Sequence, residues 1–147
     1  MATEIATTVD IAATADRVWE VLTDFPACPA WNPFITRITG APTVGAKLHT
    51  FLKPPGGRGM AFKPTLLAAD APRELRWLGR LLVPGLFDGE HRFRIEEIGP
   101  GRVRLHQSES FRGVLVPLLL RFLEKGTRQG FEAMNAALKA RAESPSA

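Results

Sequence analysis

VLVPLLLRFLEKGTRQGFEAMNAALKARAE, residues Val114–Glu143, is the stretch on which the fold turns, because here alone apolar and charged residues separate cleanly at helical period. At about 100° per residue, Arg121, Glu124, Lys125, Arg128, Glu132, Asn135, Lys139 and Glu143 share one narrow sector. Opposite lie Leu119, Phe122, Leu123, Gly126, Thr127, Gly130, Met134, Ala137 and Leu138. A helix this long must lay its stripe on something broad, which in a chain of 147 residues means a sheet. Pro117 belongs in its first turn, where a missing N–H is harmless. Gly126 and Gly130 each cost about 1 kcal/mol relative to alanine inside a helix. Either the sheet approaches closely beneath them, or a groove is left there for a guest.

Upstream, Ile5, Thr7, Val9 and Ile11 alternate with Glu4, Ala6, Thr8 and Asp10, as in a half-buried strand. Thr14 reads as a helix N-cap and Asp16 suits the first turn; Val18, Trp19, Val21, Leu22 and Phe25 form the inner face, and the helix ends at Pro26. Ala27–Trp31 allows one short helical turn before the chain becomes extended at Phe34. Beyond Ile35, short alternating runs divided by Gly and Pro predict an antiparallel meander with strands over 34–39, 46–53, 60–69, 73–80, 89–98 and 102–111.

Composition bounds the function. The chain is 45% apolar and reads as a single domain over 1–143, with a disordered tail at 144–147. Cys28, the only cysteine, excludes an internal disulfide and a cysteine cluster for zinc, in keeping with a reducing cytoplasm. The longest charge-free stretch, Phe25–Thr36, is too short to span a bilayer, so no integral membrane segment is expected. Net charge is +4 with pI near 9.8, but the arginines are scattered among acids, which argues against nucleic acid as a partner. No nucleophile elbow, phosphate loop or metal-ligand spacing occurs, so neither cofactor nor metal is expected. A homodimer is left open.

The β-α-α-β6-α order, with Trp31-Asn32-Pro33-Phe34 after the short helix, Val44-Gly45 opening a strand, and Pro72–Trp77 reading PRELRW, resembles the START-like (SRPBCC, Bet v 1-type) superfamily. Within it the chain is most similar to the bacterial polyketide cyclase/dehydrase-type subgroup. The resemblance implies an α+β helix-grip fold: a curved seven-stranded antiparallel sheet wrapped around the C-terminal helix, with an apolar cavity between them.

The last hairpin tells which side chains face such a cavity. If Ile98 and Arg102 flank the Gly99-Pro100-Gly101 turn as partners, Ile95 meets Leu105, Phe93 meets Gln107 and His91 meets Glu109. A slip of one residue would turn charges inward. The same logic turns Leu75 and Trp77 inward, while His49 falls on the outer face. The wall then holds Trp77, His91, Phe93, Gln107, Glu109 and Phe111, facing Leu119, Leu123, Gly126, Gly130 and Met134. His91 and Glu109 are open to three readings: a catalytic acid/base pair, polar contacts for a bound molecule, or a mutually satisfied pair at the rim. At one end of the sheet the connections are greasy, and Leu82, Val83, Leu86 and Phe87 are expected to form a mobile lid facing Leu115, Leu118 and Leu119. Arg58 stands near that entrance in PPGGRG.

Three function classes fit: a binder of a small hydrophobic molecule, lipid or polyketide-like; a cyclase, aromatase or dehydratase using His91 and Glu109; or a chaperone-linked interaction module, which a cavity filled with side chains would favour.

Overall fold

The computed structural model describes residues 3–80 and 83–144. Strand β1 (Thr3–Ile11) leads into helix α1 (Ala15–Thr23), whose N-cap is Thr14: its hydroxyl accepts from Arg17 N at 3.1 Å. After a 3-10 turn at Phe25–Ala27, α2 (Cys28–Trp31) ends against Asn32. The Asn32 Oδ1 accepts from both Phe34 N and Ile35 N, at 3.0 and 2.9 Å, which turns the chain into β2 (Ile35–Thr39).

The expected strand 60–69 is two strands, β4 (Met60–Phe62) and β5 (Thr65–Asp70), and β3 is shorter than expected at His49–Leu52. The break falls at Lys63-Pro64, because a proline ring offers no N–H to continue a ladder. With β6 (Glu74–Arg80), β7 (Asp88–Gly99) and β8 (Arg102–Arg112), the strands form a five-stranded sheet, β1-β8-β7-β6-β5, and a three-stranded sheet, β2-β3-β4, in place of one seven-stranded sheet. The two remain joined, since Leu48 N donates to Pro64 O and Leu66 N to Ala46 O, both at 2.8 Å. Among the described residues every strand pairing is antiparallel.

The β7–β8 register pairs His91 with Glu109, Phe93 with Gln107 and Ile95 with Leu105, as the alternation of side chains requires. At its tip the register differs: Gly99 pairs with Arg102, and Ile98 is bulged out and exposed. Gly101, with φ of 65°, takes the turn position that only glycine occupies cheaply. On the outer face, Arg76 bonds Glu74 and Glu90 while Arg92 reaches Glu74, so the charges pair across strands and stay out of the core.

Helix α3 (Val116–Glu143) lies against this sheet with Pro117 in its first turn. Its buried face is Val116, Leu120, Gly130, Phe131, Met134, Asn135, Leu138 and Ala142. That stripe is rotated from the one read off the helical wheel, so Asn135 is buried although it was placed in the polar sector, and Phe122 is exposed although it was placed in the apolar one. The C-terminal end is tied down: Arg17 donates to the carbonyls of Arg141 and Ala142, and Ala12 N donates to Glu143 Oε2 at 2.7 Å. The other half of α3 is where the core gives way to space.

Candidate functional site

Between the first half of α3 and the sheets lies a cavity of about 350 Å³. Its floor is Trp77 and Gly79 of β6, Gly89 and His91 of β7, and Glu109 and Phe111 of β8. Thr50, Leu52, Met60 and Phe62 of the smaller sheet form the facing wall, and Leu119, Phe122, Leu123 and Thr127 of α3 form the roof. Phe34 closes one end; Arg80 and Phe87 stand at the other.

Two glycines make this floor low. Gly79 and Gly89 are direct cross-strand partners, one step from the Trp77–His91 pair, so the sheet presents bare backbone where side chains would fill the space. Into the gap over Gly89 leans the Glu109 carboxylate. The indole of Trp77 stacks on the His91 imidazole at 5.2 Å between ring centres, and Phe93 and Phe131 enclose the same imidazole at 4.7 and 4.9 Å.

His91 is held at both ring nitrogens. Nδ1 lies 3.3 Å from Glu109 Oε1, and Nε2 lies 3.0 Å from Gln107 Oε1. Gln107 Nε2 donates to Asn135 Oδ1 at 2.7 Å and to Phe131 O at 3.4 Å. Asn135 Nδ2 donates to Thr7 Oγ1 at 2.9 Å, and the Thr7 hydroxyl donates to Gln107 O at 3.0 Å. The two backbone carbonyls give the chain its direction, because a reversed Gln107 amide would set its oxygen against that of Phe131. Gln107 therefore presents an acceptor to His91, and Nε2 of the ring carries a proton. The remaining nitrogen, Nδ1, shares one proton with Glu109: either the imidazole donates it to a carboxylate, or the carboxyl donates it to the imidazole.

The expected site residues divide. Trp77, His91, Glu109, Phe111, Leu119, Leu123 and Phe87 line the cavity, whereas Phe93, Gln107, Gly126, Gly130 and Met134 do not. Phe131 and Phe34, packed edge to face at 5.7 Å, plug the space under the middle of the helix. Gly130 is filled by Phe34, whose ring a Cβ would strike; Gly126 faces Pro54 at ordinary contact distance, 3.6 Å. Phe93 and Met134 lie behind the plug, beside Leu22 and Phe25. Arg58 is exposed in the β3–β4 connection and does not reach the cavity.

Of the expected lid, Leu82 lies outside the described residues, Val83 is exposed, and Leu86 and Leu115 are half-buried. The strap is tied down: Val114 N donates to Gly85 O and Leu115 N to Leu86 O, both at 3.0 Å. Sequence reasoning missed Phe34, Arg80, Phe122, Phe131, Asn135 and the Gly79–Gly89 pair. The glycine pair was findable, since the register that joins Trp77 to His91 also joins Gly79 to Gly89.

Residues 2–143 match the model of the family described as polyketide cyclase / dehydrase and lipid transport. The chain belongs to that family. Similar solved structures include a Streptomyces aromatase/cyclase, with 18% identity, a TM-score of 0.79, and 97% of this chain and 94% of that one covered. A START superfamily protein from Mycobacterium smegmatis is 22% identical at a TM-score of 0.76, over 95% of this chain and 97% of that one. The di-domain aromatase/cyclase BexL is 13% identical at a TM-score of 0.78; the match takes in 99% of this chain and 51% of the longer one. At these identities the likeness establishes the fold. No curated protein matches the chain in sequence. Within this polyketide cyclase / dehydrase and lipid transport fold, the particulars of the present chain are its glycine floor and the anchored Glu109–His91 pair. Among the described residues no group of three or more His, Cys, Asp or Glu stands where it would hold a metal, and no helix is long and apolar enough to cross a membrane.

Proposed function

We propose that this protein binds a small hydrophobic molecule that carries one hydrogen-bonding group, with the apolar body between Trp77, Phe111 and the roof of α3 and the polar group at Glu109. The observation that carries this reading is the cavity itself: apolar walls around few polar groups, with the one carboxylate braced from behind by four side chains. A volume of about 350 Å³ is near the lower end of the roughly 300–1,000 Å³ typical of ligand sites. It suits a compact lipid-like or polyketide-like molecule better than a long acyl chain. The cavity is open, so the feature that would favour a chaperone-linked module is missing.

Naphthol and naphthalene, followed by tryptophan fluorescence, test this with one hydroxyl of difference. Naphthol should bind about tenfold more tightly, the worth of a hydrogen bond to a charged group, and Glu109→Ala should erase the preference while leaving naphthalene unaffected. No binding of either compound would overturn the reading.

The anchored imidazole favours a second reading, a dehydratase or cyclase. With Nε2 held by Gln107, the His91–Glu109 pair works at a single position on its cavity side. There it can take a proton from a carbon next to a carbonyl and return it to a leaving hydroxyl as water. Turnover of a β-hydroxy-carbonyl substrate that vanishes in both His91→Ala and Glu109→Ala would establish it.

A further inference from the structure

The first turns of α3 turn apolar side chains outward. Leu118 is 55% exposed, Phe122 is 76% exposed, and Val114, just before the helix, is 78% exposed. Spacings of three and four residues place Leu118, Arg121, Phe122 and Lys125 on one face, all exposed. Glu124 lies about 120° round the helix from Leu118 and about 60° from Arg121 at 100° per residue, at the edge of this face, and the first turn carries no acidic residue, so this end of the helix adds its own positive dipole. Arg112 is exposed just upstream. Phe122 also roofs the cavity, so the patch adjoins the cavity's edge.

We infer that this face docks on an anionic lipid surface, with Leu118 and Phe122 entering the headgroup layer and Arg121 and Lys125 resting on its negative charge. Large apolar side chains set among cations are what an interfacial helix presents to a charged bilayer. A second copy of the chain fits worse, since a two-fold pairing of the patch would bring the cations Arg121 and Lys125 of one copy close to those of the other. The inference rests on the outer surface and stands whether or not the cavity takes the ligand proposed above.

Co-sedimentation of the full chain with vesicles tests it. The protein should pellet with phosphatidylcholine vesicles containing phosphatidylglycerol, much less with phosphatidylcholine alone, and should be released at high ionic strength. Arg121→Gln and Lys125→Gln should each weaken partitioning about fivefold, the worth of one basic residue at such a surface. Leu118→Ser should weaken it too, with an unchanged melting temperature, because the side chain it removes is in water. Equal sedimentation with both vesicle types, or none, would overturn the proposal. So would a concentration-dependent dimer abolished by Leu118→Arg, which would show that a second copy covers the patch.

Discussion

The Glu109 carboxylate occupies the space that Gly89 leaves: a methyl group built on Gly89 would collide with Glu109 Oε2. The two lie diagonally across the β7–β8 ladder, and Glu109 pairs directly with His91. Gly89→Ala should therefore push the carboxylate off Nδ1 of His91. The clashing atom is the far end of a flexible side chain, so stability should fall by about 1 kcal/mol or less, the low side of overpacking costs. The hydroxyl preference of the cavity should nevertheless disappear, as in Glu109→Ala. Retention of that preference, with a large drop in melting temperature, would mean that Gly89 serves the sheet alone.

Asn135 tests the other end of the chain of hydrogen bonds. Asn135→Leu keeps the branching of the side chain but leaves Gln107 Nε2 with only the 3.4 Å contact to Phe131 O. Stability should fall by about 1–3 kcal/mol, the penalty for a buried polar group left without a good partner. Nitrogen NMR should show part of the His91 population without a proton on Nε2, where the parent keeps Nε2–H throughout. An unchanged Nε2–H would show that Gln107 orients the ring without Asn135.

The two mid-helix glycines should respond in opposite directions. Gly126→Ala meets only Pro54 at 3.6 Å, so the gain in helix propensity, about 1 kcal/mol, should appear as a higher melting temperature. Gly130→Ala drives its methyl into the Phe34 ring, which Phe131 holds edge-on, and should cost about 1–3 kcal/mol net. Destabilisation by both would place the sheet closer to Gly126 than it stands here.

How far the sequence carried the reading can be traced through these residues. The alternation in β7 and β8 was enough to place His91 opposite Glu109, because a shift of one residue would bury arginines. Asn135 was misassigned because helical period reports polarity, and a buried amide satisfied by Gln107 and Thr7 looks on a wheel like a surface residue. The cavity's extent was overestimated for a related reason: Gly130 signals a missing side chain, but only the structure shows that Phe34 supplies one from another element. The break at Pro64 was visible in the residue itself, since a central strand cannot keep its ladder through proline. The outer patch is hidden from the sequence because helical period sets Phe122 on the inner stripe and the apolar run sets Leu118 against the lid, whereas both are exposed.

Burial pushes the Cys28 thiol up to about 11 from 9.0, against a smaller opposing effect of the neighbouring Asn32 side chain. A raised acid keeps its proton in the folded state, so its contribution to stability is whole below the unfolded value and is lost as pH rises through the folded one. Stability should decline between pH 9.0 and about 11, by at most about 1.4 kcal/mol per pH unit, and Cys28→Ala should flatten that decline. The native thiol should also resist iodoacetamide at pH 8 until the chain unfolds. Rapid alkylation of folded protein would mean that the pocket around Cys28 opens readily.

Gly113 decides how firmly the strap beside the cavity is held. It joins β8 to α3 with φ of 137°, a conformation that residues with a Cβ seldom adopt, and a Cβ there would strike the Leu86 carbonyl. That carbonyl accepts from Leu115 N, and one residue away Gly85 O accepts from Val114 N. Any side chain at 113 must therefore push 85–86 away and lose both bonds at once, while Val116 and Leu120, buried beyond them, keep the helix seated. Gly113→Ala should cost about 1–3 kcal/mol, in the range of a residue forced into strained backbone. Its particular mark should be local: the amides of Val114 and Leu115 should exchange fast in the variant and slowly in the parent, with the centre of α3 unchanged. Phe87 lines the cavity and packs on Phe111 at 5.5 Å, so loosening its neighbours should also speed release of bound naphthol. Faster exchange at Val114 and Leu115 without faster release would separate the strap from the route a ligand takes and place that route on the side of Met60 and Phe122.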